Sequence, residues 1–177
     1  RLLKVAASIG ADVAFFLGCN SVPPAWIASW CAGTGSDVHP LPDPKDFYLV
    51  LAIPPFSVNT AQAYRDWDAG RYECAGGEER EHDVVRSLNS GDSGLLGRSL
   101  VNDLEGPVIL RHPEIGAIKQ SLLECGAVGA SMTGSGSSVY GVCSSPEHAE
   151  EVTLRVRDRA GDLGLMRVLL LQTGCCR

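Results

Sequence analysis

Two short apolar segments near the C-terminal end of the chain flank a loop rich in glycine and serine, and this arrangement restricts the fold most. The segments are 127–132 (AVGASM) and 138–143 (SVYGVC). The loop residues between them are Thr133, Gly134, Ser135, Gly136 and Ser137. Short apolar runs joined by a glycine-containing connection are typical of a β-hairpin, so the sequence predicts two antiparallel strands here.

The loop itself is compatible with two roles. Glycines allow backbone N–H groups to approach an anion closely, and serine and threonine hydroxyls add further donors, so the loop could hold a phosphate. Alternatively, Gly134 and Gly136 could serve only the geometry of a tight connection. The loop residues alone leave both roles open.

The elements around the hairpin predict the fold class. From residue 45 onward the predicted order is strand, helices, strand, strand, helix, strand, which is typical of an α+β, split-βαβ (ferredoxin-like) sandwich with helices on one face of an antiparallel sheet. The predicted strands are 47–53, 127–132, 138–143 and 166–172. The predicted helices are 58–67, 100–105, 113–125 and one that Ser145 and Pro146 open as cap and first residue.

The remaining segments give weaker patterns. Residues 2–9 are helix-like, and the apolar stretch after Asp12 is predicted to run from a loop into a strand. Residues 18–40 show neither a period of 2 nor one of 3.6, and the polar residues 70–97 predict a long surface loop. Because the chain begins at Arg1 without Met and with the pattern of a helix already under way, we expect a fragment, with 1–40 and 41–177 belonging to different domains.

Composition excludes several classes of function. The 177 residues are 45% hydrophobic and 20% charged, as in a globular domain, and the net charge of −6 offers no basic surface for nucleic acid. No apolar run approaches the length of a membrane span, and no secretory signal is visible. We therefore expect no membrane partner and a cytoplasmic location.

The cysteines and histidines indicate no metal site. The seven cysteines are Cys19, Cys31, Cys74, Cys125, Cys143, Cys175 and Cys176. They form no C-x-x-C pair and have no histidine at ligand spacing, so we expect reduced thiols and no metal held by these cysteines. The four histidines lie far apart in the sequence, and we assign no role to any of them.

Four motifs in a fixed order carry a resemblance to a known family. They are GADVAFF (10–16), PPFSVNTAQAY (54–64), VNDLE (101–105) and MTGSGSSVYG (132–141). In this order and spacing they resemble the GHMP kinase superfamily, over roughly two thirds of the chain. Within it they are most similar to the family of kinases that act on 4-diphosphocytidyl-2-C-methyl-D-erythritol, mainly through GADVAFF and Tyr64. The resemblance implies a GHMP-kinase-like fold, in which 1–40 is the remnant of an N-terminal domain and 41–177 is the C-terminal domain.

The resemblance also implies a reaction and a set of site residues. The reaction is transfer of the γ-phosphoryl group of ATP, with Mg²⁺, to the 2-hydroxyl of the cytidyl substrate in non-mevalonate isoprenoid biosynthesis. Asp12 corresponds to the residue that accepts the proton of the substrate hydroxyl, Tyr64 to an aromatic that stacks on cytosine, and Thr60 to a substrate contact. Thr133 to Ser137 correspond to a third glycine motif beside the phosphates, which makes the loop both a turn and the wall of a phosphate site. Asn102 and Asp103 match a family pair to which we assign no catalytic role.

Some segments depart from the family pattern. Ala14 stands where the family has proline, and 18–33 and 172–177 match poorly, through local divergence or through a reading-frame error. No segment matches the family's main phosphate loop, of the type P-x-x-x-G-L-G-S-S, so we expect these 177 residues alone to be an incomplete kinase. The alternatives are another small-molecule kinase of the superfamily, such as a homoserine or mevalonate kinase, and a non-catalytic ferredoxin-like binding module.

Overall fold

The computed structural model describes residues 5, 13, 15–16, 28–33, 35, 37–41, 45–70, 72 and 78–173. The chain divides into two compact units, Arg1–Lys45 and Asp46–Arg177. In the first unit, β1 (Ser29–Ala32) and β2 (Asp37–Pro40) form an antiparallel ribbon. This ribbon lies in a segment for which sequence periodicity predicts no element.

The apolar stretch after Asp12 differs from its prediction. Val13, Phe15 and Phe16 are helical, so the predicted strand is wrong at these residues. A short apolar run fits a buried strand and a buried helix equally well, and its periodicity cannot separate the two. Most of the predicted helix 2–9 lies outside the described residues, although Val5 is helical.

The second unit contains a four-stranded antiparallel sheet. Its strands are β3 (Tyr48–Ile53), β4 (Gly129–Met132), β5 (Val139–Cys143) and β6 (Arg167–Gln172). They lie in the order β4-β5-β3-β6, and every neighbouring pair is antiparallel. This order, with helices before β4 and between β5 and β6, is that of a split-βαβ sandwich. The predicted α+β class and the four predicted strands are confirmed.

Six helices are present in the described part of the second unit. They are α1 (Thr60–Gly70), α2 (Glu78–Ser90), α3 (Ser93–Ser99), α4 (Glu105–Arg111), α5 (Pro113–Glu124) and α6 (Pro146–Asp158). The predicted cap of α6 is confirmed, because the Ser145 hydroxyl accepts a hydrogen bond from the His148 N–H at 3.1 Å. No helix among the described residues is long and apolar enough to cross a membrane.

Helices cover both faces of the sheet, so the prediction of helices on one face is wrong. On one face, Val50 and Val139 pack in a core with α5 and α6, where Ile118 and Val152 are fully buried. On the other face, Val142 packs with Leu96 of α3. Alternation of side chains along each strand explains how one sheet supplies both cores.

The second layer comes from residues predicted as a surface loop. Instead of a loop over 70–97, the chain forms α2 and α3, which bring Val84, Leu88 and Leu96 onto the sheet. Val84 and Leu88 lie one helical turn apart, but every other residue of the helix except Val85 is polar, so the apolar stripe is short. Asp92 begins α3 by accepting a hydrogen bond from the Leu95 N–H at 2.8 Å.

The predicted helix 100–105 is also wrong, since α4 begins at Glu105 and continues to Arg111. The prediction depends on Pro107 acting as a helix stop. A proline in the first turn of a helix removes no intrahelical hydrogen bond, so it is compatible with a helix start.

Two cysteine thiols of the described residues are buried. Cys125 and Cys143 are both free and about 1% exposed. Burial raises the pKa of the Cys143 thiol to about 11. This thiol therefore stays protonated at neutral pH and packs as a small apolar side chain.

Candidate functional site

The glycine loop, residues 133–137, connects β4 to β5 and is held as a tight turn. The Thr133 N–H donates to the Ser138 carbonyl at 2.9 Å, and the Gly136 N–H donates to the Thr133 carbonyl at 3.0 Å. Gly134 and Gly136 have φ of 57° and 91°, in the left-handed region that disfavours other residues. A Cβ at Gly136 would lie 2.9 Å from the Met132 sulfur. Space and backbone conformation therefore both require glycine at position 136, whereas backbone conformation alone favours it at position 134.

The same loop leaves donors available. Thr133 and Gly134 are exposed. Within the described part of the chain, the N–H groups of Gly134 and Ser135 have no hydrogen-bond acceptor. Adjacent amides of this kind can bind an anion when they point the same way.

Asn102 holds the loop from the side. Its Nδ2 donates to the carbonyls of Met132 and Gly134, both at 2.8 Å, and its Oδ1 accepts from the Leu104 N–H at 3.1 Å. The bonds to the loop span about thirty residues of sequence, so periodicity and propensity give no sign of them. The motif VNDLE is the only sequence signal for this contact.

The loop is also tied to the segment before α1. The Ser137 hydroxyl donates a short hydrogen bond to the Phe56 carbonyl. A Cβ at Gly136 would lie 3.2 Å from a methyl of Val58. The segments 54–64, 101–105 and 132–141, which are far apart in sequence, therefore meet at this loop.

Thr60 is the first residue of α1 and faces the loop. Its hydroxyl lies 2.8 Å from that of Ser135, and either oxygen can be the donor. Asn59 accepts a hydrogen bond from the Gln62 N–H at 3.0 Å and so caps the helix start. The structure thus brings two predicted site residues, Thr60 and Ser135, into contact.

Tyr64 lies one helical turn after Thr60 and is 56% exposed. An aromatic side chain that packed in the core would be buried, so this exposure argues against a core role for Tyr64. The aromatic side chain is available to a ligand on the solvent side of α1.

An ion pair fixes α1 against α4. Arg111 donates to the Asp66 carboxylate twice, from Nε and Nη2, each at 2.8 Å. These hydrogen bonds, with a further one from Gln62, hold the pKa of Asp66 below its usual value, and Asp66 raises the pKa of Arg111. Bidentate geometry of this kind restrains orientation as well as distance, so the pair helps to orient the helix that carries Thr60 and Tyr64.

Two cavities of this unit have no residue of the glycine loop in their lining. One, of about 50 Å³, is lined by Val58, Asn59, Gln62, Ala63, Asp66, Val108, Arg111 and His112. It has room for water but not for a nucleotide base. An open cleft of about 430 Å³ is lined by Asp66, Tyr72, Pro107, Leu110 and Arg111. Neither is lined by residues of the glycine loop.

The described residues include neither the predicted base, Asp12, nor an assigned ligand for the predicted Mg²⁺. Asp12 lies outside the described residues. No group of three or more histidine, cysteine or acidic side chains that could hold a metal ion occurs among the described residues. We therefore assign no Mg²⁺ ligand.

A comparison with protein families matches the part of the sandwich that carries the glycine loop. Residues 84–162 match the family described as GHMP kinases C terminal. This range runs from the middle of α2 to just beyond α6 and includes Asn102 and the whole glycine loop. Residues 84–162 are therefore similar to the C-terminal domain of GHMP kinases.

Two curated relatives that match the chain carry the same name. The chain is 34% identical over 175 residues to 4-diphosphocytidyl-2-C-methyl-D-erythritol kinase of Symbiobacterium thermophilum, covering 96% of this chain and 57% of the relative. It is 37% identical over 164 residues to the kinase of the same name from Desulfitobacterium hafniense, covering 90% and 52%. The chain spans about half the length of the curated relatives it matches.

Solved structures show the same fold. A crystal structure of 4-(cytidine 5'-diphospho)-2C-methyl-D-erythritol kinase matches with a TM-score of 0.75 and 24% identity, over 97% of this chain and 56% of that one. Homoserine kinase from Cytophaga hutchinsonii matches with a TM-score of 0.58 and 22% identity, over 77% and 44%. At these identities the structural likeness establishes the fold and not the substrate.

Proposed function

We propose that this chain is part of an ATP-dependent kinase that phosphorylates the 2-hydroxyl of 4-diphosphocytidyl-2-C-methyl-D-erythritol in non-mevalonate isoprenoid biosynthesis. The observation that carries the proposal is the contact between Thr60 and Ser135, which joins the proposed substrate helix α1 to the glycine loop. The curated relatives, at 34% and 37% identity, support this substrate over others of the superfamily.

Each site residue has a proposed role in this reaction. The N–H groups of Gly134 and Ser135 donate to a phosphate of ATP, and Thr60 contacts the cytidyl substrate. The exposed ring of Tyr64 stacks on cytosine, a contact that contributes roughly 1–3 kcal/mol per base. Asp12 accepts the proton of the substrate hydroxyl as the phosphoryl group is transferred. Mg²⁺ would neutralise charge on the phosphates of ATP, and no described residue is assigned to hold it.

The compartment is part of the same proposal. We place the reaction in the cytoplasm, or in the plastid stroma if the source is a plant. The described cysteines Cys31, Cys125 and Cys143 are all free, which suits a reducing compartment.

The test is a chimera, because the chain spans about half of its relatives. The matching part of the Symbiobacterium thermophilum kinase is replaced by this chain, and ADP release is followed with ATP, Mg²⁺ and one acceptor at a time. We expect turnover with the cytidyl substrate and none with homoserine or mevalonate. The unmodified relative is the positive control.

An Asp12→Asn variant of the chimera tests the proposed base. Asparagine keeps the size of the side chain but cannot accept the proton, so kcat should fall by about 10²-fold or more while substrate binding persists. Turnover with homoserine or mevalonate instead of the cytidyl substrate would contradict the substrate assignment. Undiminished turnover of Asp12→Asn would contradict the role of Asp12.

A further inference from the structure

The Asn102 amide uses its donors and its acceptor on two backbone segments. Both Nδ2 hydrogens go to the carbonyls of Met132 and Gly134, and Oδ1 accepts from Leu104. The two carbonyls lie on either side of Thr133, so a single side chain holds the entry of the glycine loop at two points. A side-chain amide is the only neutral group of this size that offers two donors and an acceptor.

The orientation of this amide is fixed by chemistry. A flipped amide would place Oδ1 against two carbonyl oxygens and Nδ2 against the Leu104 N–H, losing all three hydrogen bonds. Aspartate could still accept from Leu104 but could donate to neither carbonyl when ionised. The two contacts with the loop therefore depend on the donors, and the contact with Leu104 does not.

Holding the Gly134 carbonyl also sets the direction of the next amide. In a trans peptide the C=O and the following N–H point in opposite directions, so the Ser135 N–H points away from Asn102. The N–H groups of Gly134, Ser135 and Ser137 are the loop donors that have no acceptor within the described residues. The direction of the Ser135 N–H is thus determined by a residue that lies more than thirty positions earlier in the chain.

We propose that Asn102 is a positioning residue that orients the Ser135 N–H of the glycine loop toward the phosphate-binding side. The part of the proposal that concerns phosphate rests on the proposed function. The part that concerns the loop rests only on the hydrogen bonds of Asn102. The two parts are tested by separate measurements.

The first measurement is amide hydrogen exchange of the 177-residue chain without ligand. Asn102→Asp keeps the acceptor for Leu104, and with it the turn before α4, but removes both donors to the loop. Exchange of the Thr133 and Gly136 amides should become roughly tenfold faster, the scale expected for losing two neutral hydrogen bonds. Asn89→Asp, at an exposed position of α2, makes the same change of charge outside the loop and should leave these amides unchanged.

Lowering the pH adds a readout that a general loss of stability would not give. A protonated aspartate can donate one hydrogen bond, so the excess exchange of Asn102→Asp over wild type should shrink as the pH is lowered from about 6 to about 3.5, through the ordinary aspartate pKa of about 3.9. Asn102→Ala has no such donor, and its excess should stay constant. Wild-type exchange of Thr133 and Gly136 in a folded Asn102→Asp or Asn102→Ala chain would overturn the positioning role.

The second measurement uses the chimera and concerns phosphate. Asn102→Asp should raise KM for ATP by at least about tenfold while KM for the cytidyl substrate changes little. Equal effects on both KM values, with faster loop exchange, would overturn the phosphate part and keep the loop part. An inactive wild-type chimera would count against the proposed function alone, because hydrogen exchange does not require activity.

Discussion

Tyr64 places an aromatic ring on the exposed side of α1, one turn after Thr60. If the ring stacks on cytosine, Tyr64→Ala should weaken binding of the cytidyl substrate by roughly 1–3 kcal/mol, and Tyr64→Phe should have a mild effect. Binding of the cytidyl substrate to the chimera is measured by titration calorimetry. ATP is titrated as a second ligand, and its affinity should not change.

Exposure makes the outcome for Tyr64 easy to interpret. Because the side chain is 56% exposed, Tyr64→Ala should change the free energy of unfolding by less than about 0.5 kcal/mol. A large loss of thermal stability with unchanged affinity for the cytidyl substrate would show that the ring serves packing instead.

At the scale of single residues, sequence patterns identify the residues of a site better than they identify the contacts that those residues make. The motifs place Thr60 and the glycine loop in one site, and the contact between Thr60 and Ser135 agrees with that placement. The bonds of Asn102 and the ion pair of Asp66 with Arg111 join segments 30 and 45 residues apart. Such contacts depend on how the elements pack, which no local pattern contains. The roles of Asp12 and Tyr64 stay predictions.

Close backbone contact joins α3 to β4. A Cβ at Gly97 would lie 2.5 Å from the Val128 carbonyl oxygen, and a Cβ at Gly129 would lie 2.3 Å from the Gly97 Cα. Both clashes are with backbone, which cannot rotate away as a side chain can. The second layer of the sandwich therefore depends on two glycines that face each other.

Gly97→Ala tests this contact because two effects oppose each other. Helix propensity alone would favour alanine at an exposed helix position by about 1 kcal/mol. Overpacking should dominate and lower the free energy of unfolding by about 1–3 kcal/mol, as measured by denaturant titration.

A matched control is Gly161→Ala, since a Cβ at Gly161 meets nothing within 4 Å. This variant should change the free energy of unfolding by less than about 0.5 kcal/mol. A Gly97→Ala variant as stable as wild type would contradict the close packing of α3 on β4.

The elements predicted well are those with strong local signals. The strands of the sheet and the helices α5 and α6 have apolar patterns bounded by Pro113, Gly126, Ser145 and Pro146. The helices α2 and α3 escape prediction because their buried faces are small. Their apolar residues contact one face of the sheet, and this apolar face exists only once the strands have paired. Tertiary packing stabilises such helices more than their own propensity does.

At the scale of the whole molecule, the described core lies within one of the two units. Every buried apolar residue among those described falls between Phe47 and Val168, inside Asp46–Arg177. The family match at 84–162 lies within the same unit. A stretch of 132 residues with its own core, from Asp46 to Arg177, is long enough to fold as an independent domain.

We therefore expect residues 46–177, expressed alone, to unfold in a single cooperative transition. Ile118 lies on α5, is 1% exposed and packs in the larger core, so Ile118→Ala should lower the free energy of unfolding by about 2–5 kcal/mol. Leu154→Ala is the control, since Leu154 is a large aliphatic side chain on α6 that is 61% exposed, and it should cost far less. Both variants are measured by urea unfolding followed by far-UV circular dichroism. A broad transition in the wild-type segment, or equal effects of the two variants, would contradict an autonomous core in this unit.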